Sequence, residues 1–197
     1  IARGLVKGTI IQTADICVSN PSKGKLDALK GEFPTMQVTH NNVEAVKEAD
    51  IVLLAVKPWY IEPVIKELPL DTEKQILVSV AAGISFEQYE EWVGEKMPVF
   101  RVIPNTAISQ LESMTLIASH HATKDQEQLM LELFNEMGLA MLIPEKQMAA
   151  TTALTSCGIA YVLKYIQAAM QAGIELGVYP KDAQRMVNFL AKKSGKR

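Results

Sequence analysis

The sequence predicts an α/β fold: a doubly wound parallel sheet followed by an all-helical segment. Three observations carry this prediction. Residues 51–56 (IVLLAV) and 76–80 (ILVSV) are uninterrupted apolar runs of strand length, as expected of parallel strands covered on both faces. Segments with apolar residues at helical spacing separate such runs, so strand and helix alternate along the chain. From about Met148 onward no strand pattern occurs.

Taken in order, residues 1–7 read as the end of a helix with Gly8 as its stop. Residues 15–19 (DICVS) form a short apolar run ending in the turn Asn20-Pro21, a buried strand. Ser22 then caps a charged segment that carries Leu26 and Leu29 on one face and ends at Gly31. A strand at residues 36–39 follows, and Asn41 or Asn42 caps a short helix reaching Glu48. After the strand at 51–56, Lys57-Pro58 gives way to a helix through Ile61, Val64, Ile65 and Leu68. The strand at 76–80 is broken by Ala81-Ala82-Gly83, and a cap at Ser85 starts a helix through Phe86, Tyr89 and Trp92. A strand at 99–103 stops at Pro104-Asn105. A helix near 125–137 and a strand near 139–143 complete the α/β part. Residues 149–176 suit one buried helix or a broken pair, and Pro180 opens another helix. The expected domain boundary lies near Pro144.

Composition narrows the function. The 197 residues are 48% hydrophobic and 21% charged, with a formal net charge of -2. That balance gives no general attraction for nucleic acid or anionic lipid, so neither is expected as a partner. No apolar run reaches the roughly 18 residues of a spanning helix. Cys17 and Cys157 form no CxxC pair; each falls in an apolar stretch and reads as a reduced, buried thiol of a cytoplasmic protein. His120-His121 lacks a metal-ligand partner in the nearby sequence and reads as a solvated turn, so no metal is expected. Hydrolase, zinc-protease, P-loop and G-x-G-x-x-G strings are absent from these 197 residues.

Ligands of an open parallel sheet bind at the carboxyl ends of its strands. Three strand ends here carry small or polar residues: Ala55-Val56-Lys57-Pro58, then Ala81-Ala82-Gly83, then Pro104-Asn105-Thr106. Each can be turn chemistry alone, or a place where a flat ring approaches the backbone. The loop Ser19–Lys23 would meet an adenosine ribose in a dinucleotide-binding fold. Asn20, Ser22 and Lys23 supply no acid for a 2′-hydroxyl, which favours NADP over NAD; the alternative is a plain turn and cap. Thr155, Ser156 and Gly158 fall near a helix start, suited either to a carboxylate ligand or to close helix crossing.

In order, the strings SNP, ADIVLLAVKP, VSVAAG, RVIPNTA and TALTSCGIAY resemble pyrroline-5-carboxylate reductases across residues 2–187. The resemblance implies a Rossmann-type dinucleotide-binding domain at residues 1–144 and a helical dimerisation and substrate domain at 145–197. It places the family's first strand and glycine-rich loop just before Ile1. The second domain is expected to be incomplete, because the family's later glycine- and threonine-rich carboxylate loop is not found and residues 188–197 do not match. Asn20 and Asn42 correspond to cofactor contacts, and Ala55 to Pro58 and Val80 to Ala82 to loops beside the nicotinamide. Asn105 and Thr106 correspond to a pair near the reaction centre. The family's SGSGPAY appears as Thr155 to Tyr161 with Cys157 for a serine and Ile159 for the proline. The implied activity is reduction of 1-pyrroline-5-carboxylate to proline by NADPH, or NADH, in a homodimer or larger homo-oligomer. The alternatives are a related dehydrogenase of a hydroxy acid or another imine, with Lys164 as its early acid–base candidate, and a non-catalytic NAD(P)-binding module.

Overall fold

The computed structural model describes residues 1–194; residues 195–197 of the expected helical domain lie outside the described residues. In chain order the elements are α1 (Ala2–Leu5), β1 (Cys17–Ser19), α2 (Lys23–Glu32), β2 (Gln37–Thr39), α3 (Asn42–Val46), β3 (Ile51–Leu54), α4 (Ile61–Glu67) and β4 (Ile76–Ser79). They continue with α5 (Phe86–Val93), β5 (Val99–Ile103), β6 (Ser113–His120), α6 (Lys124–Asn135), β7 (Gly138–Leu142), α7 (Met148–Thr155), α8 (Gly158–Glu175) and α9 (Pro180–Ser194). Two compact units result, Ile1–Thr152 and Ala153–Arg197.

The first unit has the doubly wound, mainly parallel architecture, with two departures from a single parallel sheet. Strands β1 and β2 pair with each other, and β3 to β7 form a separate five-stranded sheet in sequential order. Within it β5 and β6 run antiparallel, while the other neighbours are parallel. The reason is the connection. Residues 104–112 hold only a 3₁₀ turn, Thr106–Gln110, whereas a parallel return needs a dozen residues or more and usually a helix.

Strand alternation sends the core to both faces. Val52, Leu54, Leu77, Val99 and Leu116 pack with Ile61 and Ile65 of α4 and with Phe86 and Tyr89 of α5. Ile76, Val78, Phe100, Val102 and Ile117 pack with Met130, Leu133 and Phe134 of α6. Two of these covering helices, α5 and α6, have complete capping boxes, Ser85 with Gln88 and Thr123 with Gln126, so their starts are locally encoded. Beyond residue 144 the chain still packs on this unit. Glu145 pairs with the buried Arg101 of β5 and accepts from the Phe86 amide, and Met148 is buried in the α4–α5 core.

Gly8 serves a different purpose from stopping a helix. The following loop wraps the Glu136 carboxylate, with Oε1 accepting from the Thr9 amide and hydroxyl and Oε2 from the Ile10 amide. A Cβ on Gly8 would lie 2.2 Å from Glu136 Oε2, so a larger residue there would push the carboxylate out of this position. The bonds from the Thr9 hydroxyl and amide hold the Glu136 carboxyl below the ordinary carboxylate range. Because the folded value is depressed, this stabilisation is complete above the unfolded pKa and is lost as pH falls through the folded one. Thermal melts of Glu136→Gln against wild type should therefore differ most at neutral pH and converge as pH falls through the depressed folded-state pKa.

Other expectations are corrected. Ser22 stands at the N-cap of α2, but its side chain makes no cap bond, and α2 runs one residue past Gly31. Cys17 and Cys157 are exposed. Cys17 lies on a three-residue strand that, among the described residues, pairs with β2 alone, and Cys157 sits at the break between α7 and α8. His120 and His121 do have a partner: Glu90 of α5, distant in sequence, lies 2.7 and 3.2 Å from their Nε2 atoms.

Residues 149–176 are a broken pair of helices, as α7 ends at Thr155 and α8, which belongs to the second unit, begins at Gly158. The second helix is not buried within the chain. No residue of α8 is buried, and Tyr161, Leu163 and Tyr165 stand exposed. Helix α9 packs against α8, with Ala183 buried.

Candidate active site

Because β3, β4 and β5 are parallel neighbours, their carboxyl ends lie along one edge of the sheet. Three of the predicted loops therefore come together. Ala55, Val56 and Lys57 are exposed after β3, and Pro58 opens a 3₁₀ turn. Val80 donates its amide to the Leu54 carbonyl, Ala81 is buried and Ala82 is exposed; Gly83 takes φ 82° with open space around it.

Ser79 sets the Val80–Ala82 loop. Its Oγ, 1% exposed with its residue, accepts from the Tyr89 hydroxyl at 2.6 Å and from the Ala81 amide at 3.3 Å. Burial pushes the Tyr89 phenol above its ordinary range, so it stays a neutral donor. Ser79→Ala would strand that hydroxyl and the Ala81 amide, and is expected to cost about 1–3 kcal/mol in denaturant melts. Tyr89→Phe should cost less, because Ser79 then keeps the Ala81 bond.

The Asn105–Thr106 loop is held in a similar way. The Asn105 amide donates to Ser113 Oγ at 3.1 Å, and that hydroxyl lies 3.0 Å from Thr115 Oγ1, both residues being buried. Asn105 Oδ1 caps the Ala107 amide, and Thr106 is exposed at the start of the turn.

At the end of β1 the Asn20 carbonyl accepts from His40 Nδ1, and Asn20 Oδ1 accepts from the Ser22 amide. A cleft of about 520 Å³ here is lined by Arg3, Val18, Asn20, Ser22, Lys25 and Leu29 among others, with no carboxylate in its wall. Lys23, the first residue of α2, is exposed and is not part of that wall. Asn41, rather than Asn42, caps α3. Asn42 is thereby released to accept from Ser19 Oγ at 2.7 Å and to reach Glu67 of α4 at 3.5 Å, which ties the β1 loop to the helix after β3.

Thr155, Ser156 and Gly158 lie in the second unit, at the end of α7, in the break, and at the start of α8. Ser156 Oγ is buried with no hydrogen-bond partner among the described residues. Lys164 is exposed and donates to Gln167 on its own helix.

Sequence reasoning missed Arg3 and Lys25 in the cleft and the supporting pairs Ser79–Tyr89 and Ser113–Thr115. One signal was available. A lone serine inside the apolar run 76–80 has to find a partner once buried.

The amino-terminal part matches the family model described as NADP oxidoreductase coenzyme F420-dependent over residues 1–83. Residues 145–196 match the model for pyrroline-5-carboxylate reductase dimerisation. Pyrroline-5-carboxylate reductase 2 of Dictyostelium discoideum is 33% identical, over 98% of this chain and 69% of its own length. The chain belongs to the pyrroline-5-carboxylate reductase family. A second Dictyostelium relative, pyrroline-5-carboxylate reductase 1, is 31% identical over 98% of the chain, which spans only 37% of that protein. The reductase fold is also reproduced in the crystal structure of Plasmodium falciparum pyrroline carboxylate reductase with NADP bound. It has a TM-score of 0.88 and 26% identity, covering 99% of this chain and 72% of the other. The match to pyrroline-5-carboxylate reductase 2 thus extends over both units, and the NADP oxidoreductase model includes the Ala55–Pro58 and Val80–Ala82 loops.

Proposed function

We propose that this chain is the core of an NADPH-dependent pyrroline-5-carboxylate reductase, which reduces the cyclic C=N bond of 1-pyrroline-5-carboxylate to give proline. Membership of the family supports the substrate. The observation that carries the cofactor is the cleft at the end of β1, where Lys25 joins Asn20 and Ser22 with no carboxylate in the wall, and where Arg3 is paired from outside with Glu32 at 2.7 Å. A carboxylate at that place selects a ribose 2′-hydroxyl, whereas cationic and hydroxyl groups suit a 2′-phosphate. The NADP named for the Plasmodium relative agrees with this reading.

On this reading Asn20, Ser22, Lys23 and Asn42 hold the ribose end. Ala55, Val56, Lys57, Pro58, Val80, Ala81 and Ala82 leave a flat, small-residue surface for the nicotinamide half. When bound, the dinucleotide supplies the hydride. Asn105 and Thr106 orient the reacting groups from the neighbouring strand end. Thr155, Ser156 and Gly158 take the substrate carboxylate; the unpartnered Ser156 hydroxyl at a helix start is suited to it. A protonated imine is already electrophilic, so orientation is the main task, and well-placed reactants gain roughly 7–11 kcal/mol in barrier terms. Residues 1–144 carry the dinucleotide and residues 145–197 the dimer contact, in a cytoplasmic homodimer or larger homo-oligomer. The exposed Tyr161, Leu163, Leu176 and Tyr179 are the apolar surface a second copy would cover.

Fluorescence titration with NADPH tests the cofactor loop. Ala82→Leu should weaken binding at least tenfold, with about 1.4 kcal/mol or more lost. Wild-type affinity in that variant would contradict the assignment. Thr106→Val should lower kcat modestly and leave NADPH binding unchanged.

A further inference from the structure

Glu90, His120 and His121 form a cluster that the reductase reading does not use. Glu90 lies on α5, His120 ends β6, and His121 follows it. Successive strand residues point to opposite faces, so adjacent histidines would ordinarily diverge. Here His121 adopts φ 54°, and the two ring centroids lie only 3.9 Å apart. Phe86 stacks on His120 with centroids 5.0 Å apart and an interplanar angle of 15°, which fixes the plane of that ring. Both Nε2 atoms converge on one oxygen, Glu90 Oε2, at 2.7 and 3.2 Å, and all three donor atoms fall within 4.8 Å of one another.

Two imidazoles and a carboxylate are a donor set for a borderline divalent cation. Zinc bonds of about 2.0–2.2 Å in tetrahedral geometry put neighbouring donors roughly 3.3 Å apart. Glu90 Oε2 would therefore need to move about 0.6 Å from His120 Nε2 and about 0.1 Å from His121 Nε2, while the two Nε2 atoms, within 4.8 Å of each other, take up the same spacing. The three groups are about one-third exposed, so an ion can reach them and a water can complete its coordination. Glu87, one turn earlier on α5, also interacts electrostatically with His120 and adds negative charge nearby.

We propose that Glu90, His120 and His121 form a zinc-binding site that staples α5 to the end of β6. Bound zinc replaces the two bonds from imidazole to carboxylate with metal–ligand bonds, each ring presenting its Nε2 lone pair and carrying its proton on Nδ1. The site lies in the first unit and is independent of the cofactor assignment.

Isothermal titration and thermal melts with zinc chloride test it, with magnesium chloride as the hard-cation control. Wild type should bind one zinc at this site, and its Tm should rise by about 5 °C at a hundredfold excess over Kd. His121→Asn, which tolerates the left-handed backbone, and Glu90→Gln should each lose tenfold or more in zinc affinity. Magnesium should leave Tm unchanged. Zinc affinity in both variants equal to wild type, which would assign binding to other donors such as the exposed thiols, would overturn the proposal. So would the lack of saturable zinc binding by wild type.

Discussion

Gly138→Ala is expected to destabilise the protein by about 3–5 kcal/mol, combining backbone strain with a steric clash. Gly138 opens β7 at φ 139°, a conformation that residues with a Cβ rarely adopt. A Cβ there would lie 2.1 Å from the Ser113 carbonyl oxygen and 2.5 Å from its nitrogen. Backbone, unlike a flexible side chain, cannot step aside, because Ser113 is paired with Gly138 itself and its hydroxyl holds the Asn105 amide. The variant should therefore lose stability and also displace the Asn105–Thr106 loop. Urea denaturation measures the first effect, and a lower kcat in whatever folded fraction survives measures the second. A loss below about 1 kcal/mol would mean that the β6–β7 pair can shift without cost.

Glu145→Ala should cost about 3 kcal/mol, the lower end for breaking a buried ion pair, because Glu145 is itself partly exposed. Arg101 is 8% exposed in the middle of the sheet, and its Nε already has no hydrogen-bond partner among the described residues. Glu145 supplies the counter-charge to that guanidinium and also accepts from the Phe86 amide at the start of α5. Its removal leaves a buried cation and a helix amide without their acceptor. The double replacement Arg101→Met with Glu145→Leu should be milder than Glu145→Ala alone, since it removes the charge along with its partner. Equal losses in the two variants would show that packing, not the uncompensated charge, sets the cost.

Much of the fold was legible because its signals are local. The apolar runs at 51–56, 76–80 and 99–103 and the cap at Ser85 depend on nearby residues only, and each appears within a residue or two of its expected place. What could not be read depends on distant partners. The reversed direction of β6 follows from the length of one connection. The exposure of Cys17 follows from how few strands flank β1. Glu90 reaches His120 and His121 across 30 residues of chain, and Glu136 reaches Thr9 across 127. The candidate site divides in the same way. Asn105 and the alanines of the strand ends are marked by their position after apolar runs. Arg3 and Lys25 become neighbours of Asn20 only once α1 and α2 are placed.

The most direct measurement of the central claim is steady-state oxidation of NADPH by the full-length protein with 1-pyrroline-5-carboxylate, beside parallel reactions with NADH and with 2-oxo acids. The cleft at the end of β1, with no carboxylate in its wall, and the family predict turnover to proline with a higher kcat/KM for NADPH than for NADH, and none with the oxo acids. Turnover of an oxo acid with none of the imine, or a higher kcat/KM for NADH, would contradict the account.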